Sequence, residues 1–153
     1  MRHSPLAELT LRKYEKPIRL QGRDLVRKFC LSVGLLQPGD SRDVVVDVLI
    51  SLLDAASPLS QGEIGLSTRA SRTQAGSSMK GCAASNIRRQ VRRLKESFLL
   101  DKQGSKYVLR QPLGDAFEEH FEKLYVPAIV GRVKEYCVAL DKVRCGDETG
   151  SKK

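Results

Sequence analysis

Between Ser85 and Leu100 the chain reads SNIRRQVRRLKESFLL, and no other stretch restricts the fold so tightly. At 100° per residue Ile87, Val91, Leu94 and Phe98 fall within one narrow arc, the i, i+4, i+7, i+11 stripe of an amphipathic helix. Ser85, Asn86, Arg89, Arg92 and Arg93 point the other way. Such a helix has to dock its apolar edge on a core supplied by the rest of the chain while its far side stays polar. Arg presents a planar fork that pairs with a phosphate or with guanine O6 and N7, and Asn pairs in a similar way with adenine. The far side therefore has the chemistry of a groove-reading helix. The same arginines would equally keep an ordinary solvated helix soluble, so the surrounding sequence has to decide.

Charge favours the first reading. The 153 residues carry 27 Lys and Arg against 18 Asp and Glu, a net charge of +9 that suits a polyanionic partner. From Ile64 to Lys95 there are eight bases and no acid, whereas from Asp115 to Glu148 there are eight acids and five bases. That segregation implies a nucleic-acid face in one region and a different task in the other.

Other classes find little support. Cys30, Cys82, Cys137 and Cys145 are widely spaced, with no C-x-x-C pair and only His3 and His120 beside them, so no zinc-ligand pattern is present. They read as small apolar residues and a tail thiol in a reducing cytosol; a disulfide between copies of Cys137 or Cys145 is the minor alternative. Neither histidine has a credible carboxylate or cysteine partner for catalysis in sequence, and the Gly/Ser stretch holding Lys80 lacks the G-x-x-x-x-G-K-[ST] pattern of a phosphate loop. No enzyme, no cofactor and no metal is expected. The first twenty residues lack an apolar signal core and no apolar run is long enough to span a bilayer, so a cytoplasmic, nucleoid-associated protein is the expectation.

The remaining elements follow from spacing. Residues 1–20, with five bases, two acids and Pro5 and Pro17, form a largely irregular basic arm, either loosely packed or reaching along a nucleic-acid backbone. Leu25, Val26, Phe29, Val33 and Leu36 mark a helix over 21–36, closed by the turn Gln37-Pro38-Gly39-Asp40. Ser41 reads as the N-cap of a buried helix through VVVDVLISLLDAA, and Ser57 or Ser60 as the cap of a short helix at 59–64. Residues 65–84 show no apolar period and read as a mobile Arg/Ser/Gly loop. After the 85–100 helix, Asp101-Lys102-Gln103-Gly104 and SKYVLR make a hairpin exposing Lys102, Lys106 and Arg110. Over 115–145 lie two helices, or one kinked at Pro127, with Val126, Val130, Val133, Cys137 and Leu140 in 4-3-4-3 spacing. That seam either dimerises or packs within the protomer, and 146–153 read as a disordered tail.

The order of a buried helix, a short helix, a basic helix and a hairpin is that of a winged helix-turn-helix. The stretch ASNIRRQVRRLKESFLLDKQGSKYVLRQPLGDAF resembles the recognition helix and wing of the MarR, ArsR and PadR-like transcription regulators of bacteria and archaea. Arg92, Leu94, Leu99, Gly104, Tyr107, Leu109 and Gly114 occupy the corresponding places, and the likeness covers about residues 41–117. The 65–84 loop departs from it, since in that family a tight turn joins the two helices. The resemblance implies a mainly α fold with a small β-hairpin: a winged helix-turn-helix domain over 21–114 plus N-terminal and C-terminal helices, the latter acidic, away from the DNA face and pairing two copies. It implies a sequence-specific double-stranded DNA-binding regulator, acting as a homodimer with no membrane role. Ser85, Asn86, Arg89 and Arg92 would enter the groove, and Arg88, Arg93, Lys95, Lys102 and Lys106 would take phosphates. The competing expectation is a protein-interaction or RNA-associated module on the same scaffold.

Overall fold

The computed structural model describes residues 3–150, a mainly helical chain with a small three-stranded antiparallel sheet. Thr10–Ala116 form one compact unit, and residues 3–9 together with 117–150 form another.

Helix α2 (Val44–Asp54) is the centre of the first unit, touched by α1 (Gly22–Ser32), α3 (Gln61–Gln74) and α4 (Ala84–Glu96). Val44, Val45, Val46, Val48, Leu49 and Leu52 are each no more than 5 % exposed, so apolar side chains are covered around nearly the whole circumference. Three successive valines favour a strand by propensity, but neighbours on every side reward burial of the full cylinder, and packing overrides the local preference. The α2 cap is not the expected one. The helix starts at Val44 with Asp43 before it, and Asp43 makes no side-chain bond to the helix backbone because its carboxylate is used elsewhere.

Asp43 and Asp47, one turn apart on α2, gather three arginines. Arg72 of α3 donates to Asp47 at 2.6 Å and Asp43 at 3.1 Å. Arg23 of α1 donates to both aspartates, and Arg27 to Asp43 at 2.8 Å. The Asp47 and Arg72 side chains are 1 % and 4 % exposed. Burial by itself would raise the Asp43 carboxyl, but the hydrogen bonds from Arg23 and Arg72 hold it below its ordinary value of 3.8. Burial likewise works to lower Arg23 and Arg72, yet bonding to Asp47 and Asp43 leaves both raised.

The expected loop at 65–84 is for the most part helix. Ser60 and Glu63 form a capping box at the start of α3, and the helix runs to Gln74. It ends in a Schellman motif: Ser77 N–H bonds the Arg72 carbonyl, Gly76 N–H bonds the Thr73 carbonyl, and Gly76 takes φ +64°. Its buried face is Ile64, Gly65, Thr68 and Arg72. A helical stripe is present there, but apart from Ile64 its members are small, polar or charged, so it carries no apolar period. The true connection to α4 is 75–83, closed by Gly81, where a Cβ would press on Val44 and Asn86 at 3.1–3.2 Å.

The short helix expected at 59–64 is also displaced. Leu59–Ser60 is strand β1, and it pairs with β3 (Lys106–Leu109), which pairs in turn with β2 (Leu100–Gln103), giving the order β1-β3-β2. Gly104 takes φ +62° in the two-residue turn between β2 and β3. Helix α1 stops at Ser32, short of the expected 36, and Gly34 turns the chain at φ +78° with Thr10 against it. Residues from Thr10 onward belong to this unit: Arg12 donates to the Leu31 and Leu36 carbonyls at 2.8 and 3.2 Å.

α5 (Leu113–Phe117) closes the first unit and leads into the second, which holds a π-helical segment, Glu118–Tyr125, and then α6 (Val126–Gly150). The widened turns end just before Pro127, whose missing N–H and crowding ring disfavour regular α geometry on the preceding turn. α6 continues to Gly150, and residues 151–153 of the expected tail lie outside the described residues.

Asp47→Ala leaves Arg72 and Arg23 short of a buried partner and should cost about 3–5 kcal/mol in urea unfolding, since breaking one side of a buried pair strands the other charge. Because the folded Asp43 carboxyl is depressed, its contribution is full above its ordinary pKa of 3.8 and is lost as pH falls through the lowered folded value. Asp43→Asn should flatten that acid limb of a stability-versus-pH curve; an unchanged limb would remove Asp43 as its origin.

Candidate nucleic-acid interface

Helix α4 turns its apolar edge inward as its spacing demands. Ile87, Val91 and Leu94 are at most 1 % exposed, and Gln90 joins them at 7 %. Phe98 is buried as well, but it lies beyond Ser97, where the chain has left the helix. The opposite side is open: Ser85, Arg88, Arg89, Arg92 and Lys95 are exposed. Among the described residues, none of the four cationic side chains there makes a hydrogen bond or ion pair with the protein. This contrasts with Arg23, Arg27 and Arg72, all of which are neutralised by aspartates.

Two of the expected contact residues are spent inside the fold. Arg93 donates to Gln90 Oε1 at 2.8 Å and to the Leu35 carbonyl at 3.0 Å, tying α4 to the turn after α1. Asn86 donates to the Gly81 carbonyl at 2.6 Å and accepts from Gln90 at 3.3 Å, fixing the end of the 75–83 connection. Both sit on the same flank of the helix, between its buried and open sides. Their amide and guanidinium groups anchor α4, leaving Arg88, Arg89, Arg92 and Lys95 to define its cationic surface.

That flank opens into a groove of about 600 Å³ lined by Arg42, Asp40, Ser85, Asn86, Arg89 and Arg93 among others. Arg42 is exposed and has no partner among the described residues. It went unnoticed in sequence because it is a single base in the turn before α2, far along the chain from α4. Its location beside Arg89 exists only in the folded state. α4 itself begins after Ala83 with no side-chain cap, so its first N–H groups are not satisfied by a capping side chain.

On the hairpin the two lysines separate. In the antiparallel register Lys102 stands opposite Tyr107, and its ammonium lies 5.9 Å from the ring centroid. Lys106 stands opposite Gln103, one residue out of phase, and so projects from the other face of the ribbon. Arg110 is paired with Asp101 at 2.9 Å. Both lysines are exposed, but they do not form one patch.

Cys30, Cys82 and Cys137 are free thiols; burial pushes Cys30 up to about 12, which keeps it protonated. Among the described residues no group of three or more His, Cys, Asp and Glu side chains is placed to hold a metal ion. No described helix is long and apolar enough to cross a membrane. Comparison with family models, curated proteins and solved structures gives no match.

Arg93→Ala breaks a bond to a main-chain carbonyl in the α1–α2 turn and should lower stability by about 1–2 kcal/mol. Arg89→Ala and Arg92→Ala remove unpaired exposed groups and should stay within about 0.5 kcal/mol of the parent in thermal or urea unfolding. Equal losses for all three would show that the outer arginines have internal partners.

Proposed function

We propose that this chain is a sequence-specific double-stranded DNA-binding protein of winged helix-turn-helix type that acts as a homodimeric transcription regulator. The single observation that carries the reading is the unequal treatment of its arginines. Arg23 and Arg27 of α1 and Arg72 of α3 are matched with Asp43 and Asp47, whereas Arg88, Arg89 and Arg92 are held on a packed helix with no ion-pair partner among the described residues. A rigid helix with a free guanidinium face fits a polyanionic groove.

The succession α2, β1, α3, α4, β2, β3, with β3 central in the sheet, supports the winged-helix reading, in which α4 is the recognition helix and the hairpin the wing. A major groove about 12 Å wide admits one α-helix. In that pose Arg89, Arg92 and Ser85 meet base edges or the phosphates lining them. Arg88 and Lys95, on the flank towards α3, meet one backbone, and Arg42, on the opposite flank, the other. The wing contributes Lys102 or Lys106 to phosphate, one from each face of the ribbon. Arg93 and Asn86 act indirectly, by fixing the helix on which the others ride.

Selection from a random duplex pool followed by gel shifts tests the reading. A defined motif should emerge; Arg89→Ala should relax preference at one position of it, a loss of about 1–3 kcal/mol of discrimination. Arg88→Ala and Lys95→Ala should weaken all sequences alike and each reduce the salt slope by about one. Absence of any enriched motif, or preference for structured RNA over duplex DNA, would overturn the proposal.

A further inference from the structure

Helix α6 is a 25-residue rod whose described side chains from Gly131 to Gly146 are all exposed. A bare helix in water draws its stability from burial of an apolar face, and this one has such a face without a cover. Val126, Ile129, Val130, Val133, Tyr136, Cys137, Leu140 and Val143 fall in a single stripe on the helical wheel. Val130 is 45 % exposed, Val133 56 %, Tyr136 68 %, Leu140 65 % and Val143 63 %. Residues 3–7 run beside Ile129, Val133 and Tyr136 but leave a groove of about 700 Å³, with Leu6 85 % exposed, so this arm leaves the seam open.

The charges beside the stripe identify the occupant. With Val130, Cys137 and Arg144 at a and Val126, Val133 and Leu140 at d, the e positions are Lys134 and Asp141, and Ile129 and Tyr136 stand at g. Lys134 and Asp141 have no ion pair among the described residues, whereas Arg132, off the stripe, is paired with Glu135. In a parallel pair Arg144 would face its own copy across the seam, and Lys134 and Asp141 would face the apolar g edge. In an antiparallel pair each a residue lies opposite a d residue and e faces e. The register that sets Val130 on Leu140 and Val133 on Cys137 also brings Lys134 to Asp141 of the second copy, twice by symmetry. It moves Arg144 away from its own copy, to lie opposite Val126. Sliding one helix by a heptad would instead oppose Asp141 to Asp141. One arrangement satisfies both the apolar layers and the charges.

We propose that α6 pairs antiparallel with α6 of a second copy of this chain about a two-fold axis, with Lys134–Asp141 ion pairs on one edge and, on the other, Tyr136 against its own copy and Ile129 against Val143. The pairing specifies the dimer invoked under the DNA-binding reading, but its surface is separate from α4. An isologous contact of this kind closes on itself and forms no chain of copies. Cys137 faces Val133 and not another Cys137, so the seam does not cross-link by oxidation at that position.

Sedimentation equilibrium on the full chain, without DNA, tests it. The parent should be a dimer at micromolar concentration. Lys134→Asp opposes like charges at two symmetric places and should weaken the dimer about tenfold. Lys134→Asp with Asp141→Lys should restore the parent affinity, since the exchanged pair meets in the same way. A monomeric parent, a double variant no better than the single one, or a covalent dimer on mild oxidation that Cys137→Ser abolishes would each overturn the proposal. A monomer that still selects a duplex sequence would leave the α4 reading standing, and a dimer indifferent to duplex DNA would remove that reading alone.

Discussion

The arrangement of the first unit depends on one cluster of buried charge. Asp47 and Arg72 meet at 2.6 Å, almost wholly shielded from water, with Asp43, Arg23 and Arg27 around them. Taking such groups out of water is costly, and the cost is offset only when every charge is bonded in good geometry. Three helices contribute to that geometry: α1 two arginines, α3 one, and α2 both acids. Helix α3 has little apolar surface of its own beyond Ile64, so its place against α2 is fixed by Arg72 as much as by packing. Arg72 also donates to the Ser78 carbonyl at 2.7 Å, which anchors the start of the connection leading to α4.

The same cluster gives the surface its character. By pairing Arg23, Arg27 and Arg72 it leaves Arg88, Arg89 and Arg92, on the outer side of α4, as arginines with no ion-pair partner among the described residues. The helix is held there by three kinds of contact: the apolar stripe on the core, the Arg93 bond to Leu35, and the Asn86 bond to Gly81. A cationic side chain projecting from a helix restrained in this way loses less freedom on meeting a phosphate or a base than one on a mobile loop. Stability and the proposed binding surface thus draw on the same residue type, separated by whether an aspartate lies within reach.

In the second unit the relation is reversed. α6 has a long apolar stripe and no packed core along most of its described length, and its unpaired charges lie beside the stripe. The antiparallel register proposed for α6 would turn both features to use with only a second copy of the same helix.

How much of this was legible in the chain follows from the range of the interactions. The stripe Ile87, Val91, Leu94 and the valines and leucines of α2 are local patterns, and they determined two helices and which way each faces, because burial of apolar surface at a period of 3.6 has few other solutions. The glycine at 104 and its alternating flanks likewise determined a hairpin. Helix α3 was hidden because beyond Ile64 its buried face is Gly, Thr and Arg, and β1 because two residues leave no period at all. Arg72 and its aspartates are separated by 25 and 29 residues, so nothing nearby in sequence shows that this arginine is paired while Arg89 is free. Arg93 and Asn86 lie on the border between the two sides of their helix, where only the neighbouring turn decides. Sequence alone determined that a helix would carry arginines on an outer face; the tertiary structure decided which of them stay outside, since a charge is neutralised by what lies near it in space.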